Sequence, residues 1–168
     1  MIIQIYDDDL LNGDGIREVV FLQGCHHHCK NCFNKETWEF KEATQKTLAD
    51  DIKFQKHLYK KLQQSYISGI TITGGDPLAP ENLWQTTQLA QITKATKDKT
   101  VWIYTGYTWE NLQTKQYVEI LSLADVLCEG PFIESLKSPN KPWVGSSNQR
   151  VIDVQKSIKE NKIVLYEG

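Results

Sequence analysis

No apolar run in this chain is long enough to cross a bilayer, and none near its start has the length of a signal peptide's apolar region. Positive charge is not in excess either. Lys and Arg number 19 against 21 Asp and Glu, a formal net charge of −2, so the basic stripe of a nucleic-acid-binding protein is missing. Lys53, Lys56, Lys60 and Lys61 do cluster, but at the spacing of one solvated helix face. Internal repeats and low-complexity segments are also absent. Cysteine is scarce and unevenly placed: Cys25, Cys29 and Cys32 fall close together and Cys128 stands far away. That arrangement makes a poor disulfide framework. The expectation is a cytoplasmic protein with no membrane and no nucleic-acid partner, folded as a single domain over residues 1–168. In a reducing compartment, clustered cysteines bind metal or do chemistry rather than bridge.

What the sequence does contain is an alternation of strand-like and helix-like segments. "REVVFLQ" (17–23) is β-branched and apolar and predicts a strand, with the cysteine-rich stretch directly after it. Residues 47–64 predict a helix, opened by a capping box between Thr47 and Asp50, with Leu48, Ile52, Leu58, Tyr59 and Leu62 on one side. "GITIT" (69–73) predicts a second strand, stopped by Gly74-Gly75-Asp76-Pro77. A helix over 81–95, a strand at "TVWIYTG" (100–106), a helix over 108–123 and a strand at "DVLCEG" (125–130) follow. "SPNKPWVGSSNQ" reads as a polar loop, and "RVIDV" and "KIVLYE" as short final strands. This rhythm predicts α/β architecture with a mainly parallel sheet.

In such sheets the chemistry gathers in loops leaving the carboxyl ends of strands. The cysteine loop, the Gly-Gly-Asp-Pro turn and Thr105-Gly106-Tyr107 each leave a predicted parallel strand, so all three are expected at one edge. The spacing C-x3-C-x2-C leaves the metal open. A structural zinc site wants four closed ligands, usually in paired motifs. One histidine of His26-His27-His28 would have to supply the fourth, and a residue wedged between Cys25 and Cys29 closes the same tetrahedron poorly. An ordinary iron–sulfur cluster also takes four thiolates; three around a four-iron cube leave one iron open for chemistry.

C-x3-C-x2-C after a first strand, with "TGGDP" after the second, resembles the radical S-adenosylmethionine (SAM) superfamily. More specifically, "NGDGIREVVFLQGCHHHCKNCFNKETW", "GITITGGDPLAPEN", "VWIYTGY" and "PWVGSSNQR" stand in the order and spacing of anaerobic ribonucleoside-triphosphate reductase-activating proteins, over residues 12 to about 150. The resemblance implies a compact partial (β/α) barrel of the radical SAM type. It also implies a [4Fe-4S] cluster held by Cys25, Cys29 and Cys32, with one open iron, and S-adenosyl-L-methionine as the second cofactor. The implied activity is reductive SAM cleavage that places a glycyl radical on the large subunit of the anaerobic reductase. A low-potential electron donor such as flavodoxin would feed the cluster.

By matching position to motif, Asn31, Cys32 and Phe33 are expected along bound SAM, and Gly74, Gly75 and Asp76 at its methionine end, where glycines let backbone N–H groups approach an anion. Tyr104, Thr105 and Gly106 are candidates for the adenosine. His27 is expected to hydrogen-bond near the cluster, with His26 and His28 on the surface; Cys128 reads as a buried small hydrophobe. The loop carrying Trp143 and residues 145–150 is the candidate for docking the partner. Two departures from the family pattern are visible: Asp14 stands where a proline usually separates Gly13 and Gly15, and Asn31 replaces the aromatic residue before the third cysteine. Alternatives are an activator of another glycyl-radical enzyme, of the pyruvate formate-lyase type, and a non-enzymatic metal-binding module.

Overall fold

The computed structural model describes residues 2–40 and 52–168. Six strands form one sheet in consecutive order: β1 (Ile2–Asp9), β2 (Ile16–Leu22), β3 (Ile67–Gly74), β4 (Thr100–Tyr104), β5 (Val126–Glu129) and β6 (Arg150–Asp153). The four central strands, β2 to β5, run parallel. β1 and β6 flank them, paired antiparallel with β2 and β5. The helices are α1 (Ile52–Leu62), α2 (Pro80–Lys94), α3 (Val118–Leu123) and α4 (Val154–Glu160). Among the described residues, no helix is long and apolar enough to cross a membrane.

Alternation along the strands divides the buried side chains between two faces. Val101 and Ile103 of β4 and Leu127 of β5 face a large core, shared with Leu58 and Leu62 of α1, Leu89 and Ala90 of α2, and Ile120 of α3. Trp102 of β4 and Val126 and Cys128 of β5 face the other side, where Tyr104, Trp143, Val151 and Tyr166 pack with them. Beneath Trp102 lies Arg17, 1% exposed, its guanidinium 5.2 Å from the indole centre. It donates to Thr71 Oγ1, Thr100 Oγ1 and the carbonyls of Asp14, Ile70 and Thr100, at 2.7–3.0 Å. Burial pulls its pKa down to about 10, still charged at neutral pH. The turn before it holds without proline: Gly13 and Gly15 take φ of +131° and +74°. A Cβ at Gly13 would lie 2.7 Å from the Arg17 side chain.

Several expectations change here. The predicted first strand is the second, because β1 precedes it as a bulged edge strand exposed over most of its length. In α1 the buried residues are Phe54, Leu58 and Leu62, while Ile52 and Tyr59 are 66% and 53% exposed. Thr47, Leu48 and Asp50 lie outside the described residues. The helix expected over 108–123 is broken. Thr108 and Asn111 cap a 3-10 turn, Trp109–Leu112, whose Trp109 N–H is held by buried Glu129 at 2.8 Å. A second such turn, Lys115–Tyr117, then leads into α3. After β6 comes α4, with Asp153 accepting from the Lys156 N–H and Asn161 left-handed at its end; "KIVLYE" makes only an isolated bridge, Leu165 to Ile152.

The proposed docking residue Trp143 is packed into the molecule. Its ring meets Trp102 edge-on at 5.1 Å and Tyr166 at 5.8 Å. Trp143→Ala should therefore lower unfolding stability by about 3 kcal/mol, the low end for a large aromatic because it is only half-buried. Urea unfolding followed by circular dichroism measures this. An unchanged midpoint with loss confined to partner activation would restore the docking role.

Candidate functional site

The parallel strands β2, β3, β4 and β5 all end at the same sheet edge, and one cleft there draws lining residues from all four following loops. From the β2 loop come Cys25, His27, Cys29, Cys32 and Asn34; from β3's end Thr73, Gly74, Gly75 and Asp76; from β4's end Tyr104, Thr105 and Gly106. Cys128, Gly130, Phe132 and Gln149 complete the wall. A larger cavity of about 740 Å³ opens at the opposite edge, among Arg17, Ser68, Lys99, Asp125 and Tyr166, and carries no cysteine.

The cysteine loop is fixed by backbone pairing and by its histidines. Gly24 and Cys25 donate to the carbonyls of Thr37 and Trp38, at 2.7 and 3.0 Å, closing the loop on itself. His26 stacks on Phe40 at 4.4 Å and bonds Glu81 of α2 at 3.0 Å. His27 packs edge-on to Tyr107, and His28 lies against Trp38. His26 and His28 are exposed, as expected, but each is engaged.

All four cysteines are free thiols. Burial pushes the Cys25 thiol up to about 11 and raises Cys29 as well. Cys32 Sγ accepts the Asn34 N–H at 3.4 Å, and the neighbouring backbone amides of His27 and His28 at Cys25, and of Phe132 at Cys29, work against the rise that burial causes. A buried thiol beside backbone amides, as at Cys25, suits metal-bound thiolate, since the ion supplies the positive charge that solvent does not. N–H donors to sulfur are also among the levers that set an iron–sulfur potential. These residues fit an iron–sulfur cluster. Cys128 differs: it sits on β5 itself, is 1% exposed, and its thiol contacts Tyr104; burial pushes it up to about 12. Burial, with Cys128 beside it, also raises the Tyr104 phenol.

Asp76 organises the cleft from within. Its carboxylate is 1% exposed and accepts from the Leu78 N–H at 2.8 Å, the Thr105 hydroxyl at 2.8 Å and the Gly106 N–H at 2.9 Å. His27 Nε2 lies 2.7 Å from Oδ2, outside hydrogen-bond alignment. The side chain expected at a ligand's amino end is thus occupied by protein donors from two loops, with His27 of a third beside it. Gly74 and Gly75 likewise serve backbone packing. A Cβ at Gly75 would stand 2.4 Å from the Gly24 carbonyl, and one at Gly74, where φ is +103°, 2.5 Å from the Leu22 carbonyl.

Asn31 and Phe33 do not line the cleft. Asn31, left-handed at φ +56°, donates its amide to Glu134, and Phe33 is 97% exposed. Of the wall residues, Phe132 follows β5 outside any motif and carries no signal in the sequence, while Gln149 is expected only as part of the docking loop. Gln149 accepts from the Gly145 and Ser146 N–H groups and donates to the Gly130 carbonyl, all at 2.9–3.0 Å. The loop expected to meet a partner is thereby built into the cleft's own wall.

The fold and its cysteine-lined edge define an iron–sulfur cluster domain, and a family model described as "4Fe-4S single cluster domain" matches residues 11–152. The chain is 38% identical to the anaerobic ribonucleoside-triphosphate reductase-activating protein of Enterobacteria phage T4, over 88% of this chain and 90% of that protein. Proteins of the same name from Haemophilus influenzae and Escherichia coli K12 are each 36% identical, over 88% of this chain and 94% and 95% of their own lengths. The chain belongs to the family of anaerobic ribonucleoside-triphosphate reductase-activating proteins.

Gly75→Val tests the packing role. The side chain must push Gly24, and with it Cys25, at a cost of about 3 kcal/mol. Melting temperature and iron content after anaerobic reconstitution should fall together; a fully cluster-loaded, equally stable variant would show that only ligand approach needs the glycine.

Proposed function

We propose that the chain is a radical SAM activase, one domain over residues 1–168, that generates the glycyl radical on the anaerobic ribonucleoside-triphosphate reductase. In this reading Cys25, Cys29 and Cys32 hold three irons of a [4Fe-4S] cluster, and the fourth iron is left for SAM. The observation that carries it is the sharing of one cleft by the three clustered thiols, Gly74 and Gly75 at the end of β3, and Gly106 at the end of β4. When bound, the cluster supplies the electron that splits SAM into methionine and a 5′-deoxyadenosyl radical, which takes a hydrogen atom from a glycine of the reductase.

The chain's own residues bind, orient and exclude water. The Asn34 N–H on Cys32 Sγ helps hold that sulfur in place. Asp76 joins the β4 loop through its carboxylate and the cysteine loop through its N–H on the Gly24 carbonyl, so one residue ties the ligand-bearing wall to the cofactor-facing one. Thr105 commits its hydroxyl to Asp76 and its N–H to the Cys128 carbonyl at 2.9 Å, and so shapes the cleft beside Gly106 and Tyr104. Gly74, Gly75 and Gly106 leave open backbone toward SAM. The finer fold reading is a partial (β/α) barrel. Strands in consecutive order with same-handed crossovers carry their helices on one face, and α1 packs on α2, α2 on α3 and α3 on α4. An electron donor of low potential, such as flavodoxin, completes the system.

Anaerobic reconstitution of single variants tests the assignment. Wild type and Cys128→Ala should bind about four irons per chain and cleave SAM on dithionite reduction. Cys25→Ser, Cys29→Ser and Cys32→Ser should lose both. Adding the reductase should give the doublet of a glycyl radical in electron paramagnetic resonance with wild type alone and Cys128→Ala. Loss of the cluster in Cys128→Ala, in a variant that still folds, would mean four thiolates and no open iron. One zinc and no SAM cleavage would leave a metal-binding module.

A further inference from the structure

Away from the cleft, the outer end of the β1–β2 pair meets α1 at a second cluster of ligating side chains. Asp7 of β1, Glu18 of β2 and His57 of α1 each bring one ligand atom within 4.8 Å of the other two. A bulge makes this possible. The β1–β2 register slips between Tyr6 and Asp9, with Asp8 left-handed at φ +57°, so successive aspartates both turn toward α1 instead of alternating. Asp7 Oδ1 stands 3.1 Å from His57 Nε2, and Asp8 Oδ2 takes the Lys61 ammonium at 2.7 Å. His57 and Lys61 are one helical turn apart on the same face.

Glu18 is the informative member. Its side chain is 0% exposed. Oε1 accepts only a long bond from the Asp8 N–H at 3.3 Å, and Lys61 stays 3.7 Å away. Oε2 is buried with no hydrogen-bond partner. A buried carboxylate oxygen without a partner is costly, and this one sits beside a second carboxylate. Burial, with the Asp7 carboxylate beside it, raises the Glu18 carboxyl to about 7, and a cation held between the two acids and His57 would relieve that crowding.

We propose that Asp7, Glu18 and His57 bind a divalent transition-metal ion that clamps the β1–β2 pair to α1. Two carboxylates and one imidazole form a mixed oxygen and nitrogen donor set suited to Mn²⁺, Fe²⁺ or Zn²⁺ rather than to thiophilic ions, and Asp7 and His57, both partly exposed, leave room for water to complete the coordination. The site has no cysteine, so it is chemically distinct from the cleft. It nonetheless acts on the same chain segment, because α1 is the helix of the crossover that begins with the cysteine loop at the end of β2.

The probe is Mn²⁺, which binds thiolate weakly and is visible by electron paramagnetic resonance. It is titrated into cluster-loaded wild type, His57→Ala and Glu18→Gln under argon. The expected result is one saturable site per wild-type chain, weakened at least tenfold in both variants, with iron content unchanged and a melting temperature that rises with Mn²⁺ only in wild type. His57 is half-exposed, so its variant folds even if the buried Glu18→Gln does not. Absence of saturable binding to wild type, or equal binding by His57→Ala, would overturn the proposal.

Discussion

One buried carboxylate holds the functional edge together. Asp76 takes the Leu78 N–H from its own loop, the Thr105 hydroxyl and Gly106 N–H from the next strand's end, and the approach of His27 from the cysteine loop. A buried charge is tolerated when donors surround it, and removing them singly is expensive. Its donors fix the β3 and β4 loops to one another, and the Asp76 N–H, at 2.7 Å from the Gly24 carbonyl, adds the cysteine loop to that arrangement. The thiols, the glycines and the β4 end inherit their relative positions from that arrangement.

The glycines act in the same assembly. At Gly75 the β3 loop lies so close to the Gly24 backbone that no side chain fits, and its N–H reaches the Leu22 carbonyl at 2.7 Å while Asp76 N–H reaches the Gly24 carbonyl at 2.7 Å. At Gly106 a Cβ would stand 2.5 Å from the His27 ring. Small residues at a cofactor site are often read as making room for a ligand. Here they first make room for the neighbouring loop, and any open backbone toward a ligand is a consequence of that packing.

The two sheet faces divide the work. One face carries the aliphatic core against the helices. The other carries Trp102, Cys128, Tyr104, Trp143 and Tyr166, aromatic and polarisable, with Arg17 beneath and the cleft above. The final stretch of chain covers this second face: Tyr166 donates its hydroxyl to Asp14 at 3.0 Å and its ring to Trp102. Residues at the chain's end thus stabilise the turn that precedes β2, and β2 leads to the cysteines.

The sequence by itself determined the α/β class, the parallel run of strands and the three cysteines, because these follow from local patterns: β-branched runs, turn glycines and fixed ligand spacing. It also brought the cysteine loop, Gly74 to Asp76 and Tyr104 to Gly106 to one edge, since parallel strands must end together. Edge strand β1 was not legible, because an exposed, bulged strand loses the alternation that marks a half-buried one. α4 was not legible either, because seven residues with Val154 and Ile158 as the apolar ones carry too little helical periodicity. Only the tertiary structure decided that Asp76 is spent on protein donors, that Trp143 packs inward, that Asn31 and Phe33 stand outside the cleft, and that Asp7, Glu18 and His57 meet. Each depends on which long-range partner a side chain finds, and a hydrogen bond or ring contact across dozens of residues leaves no periodic trace along the chain.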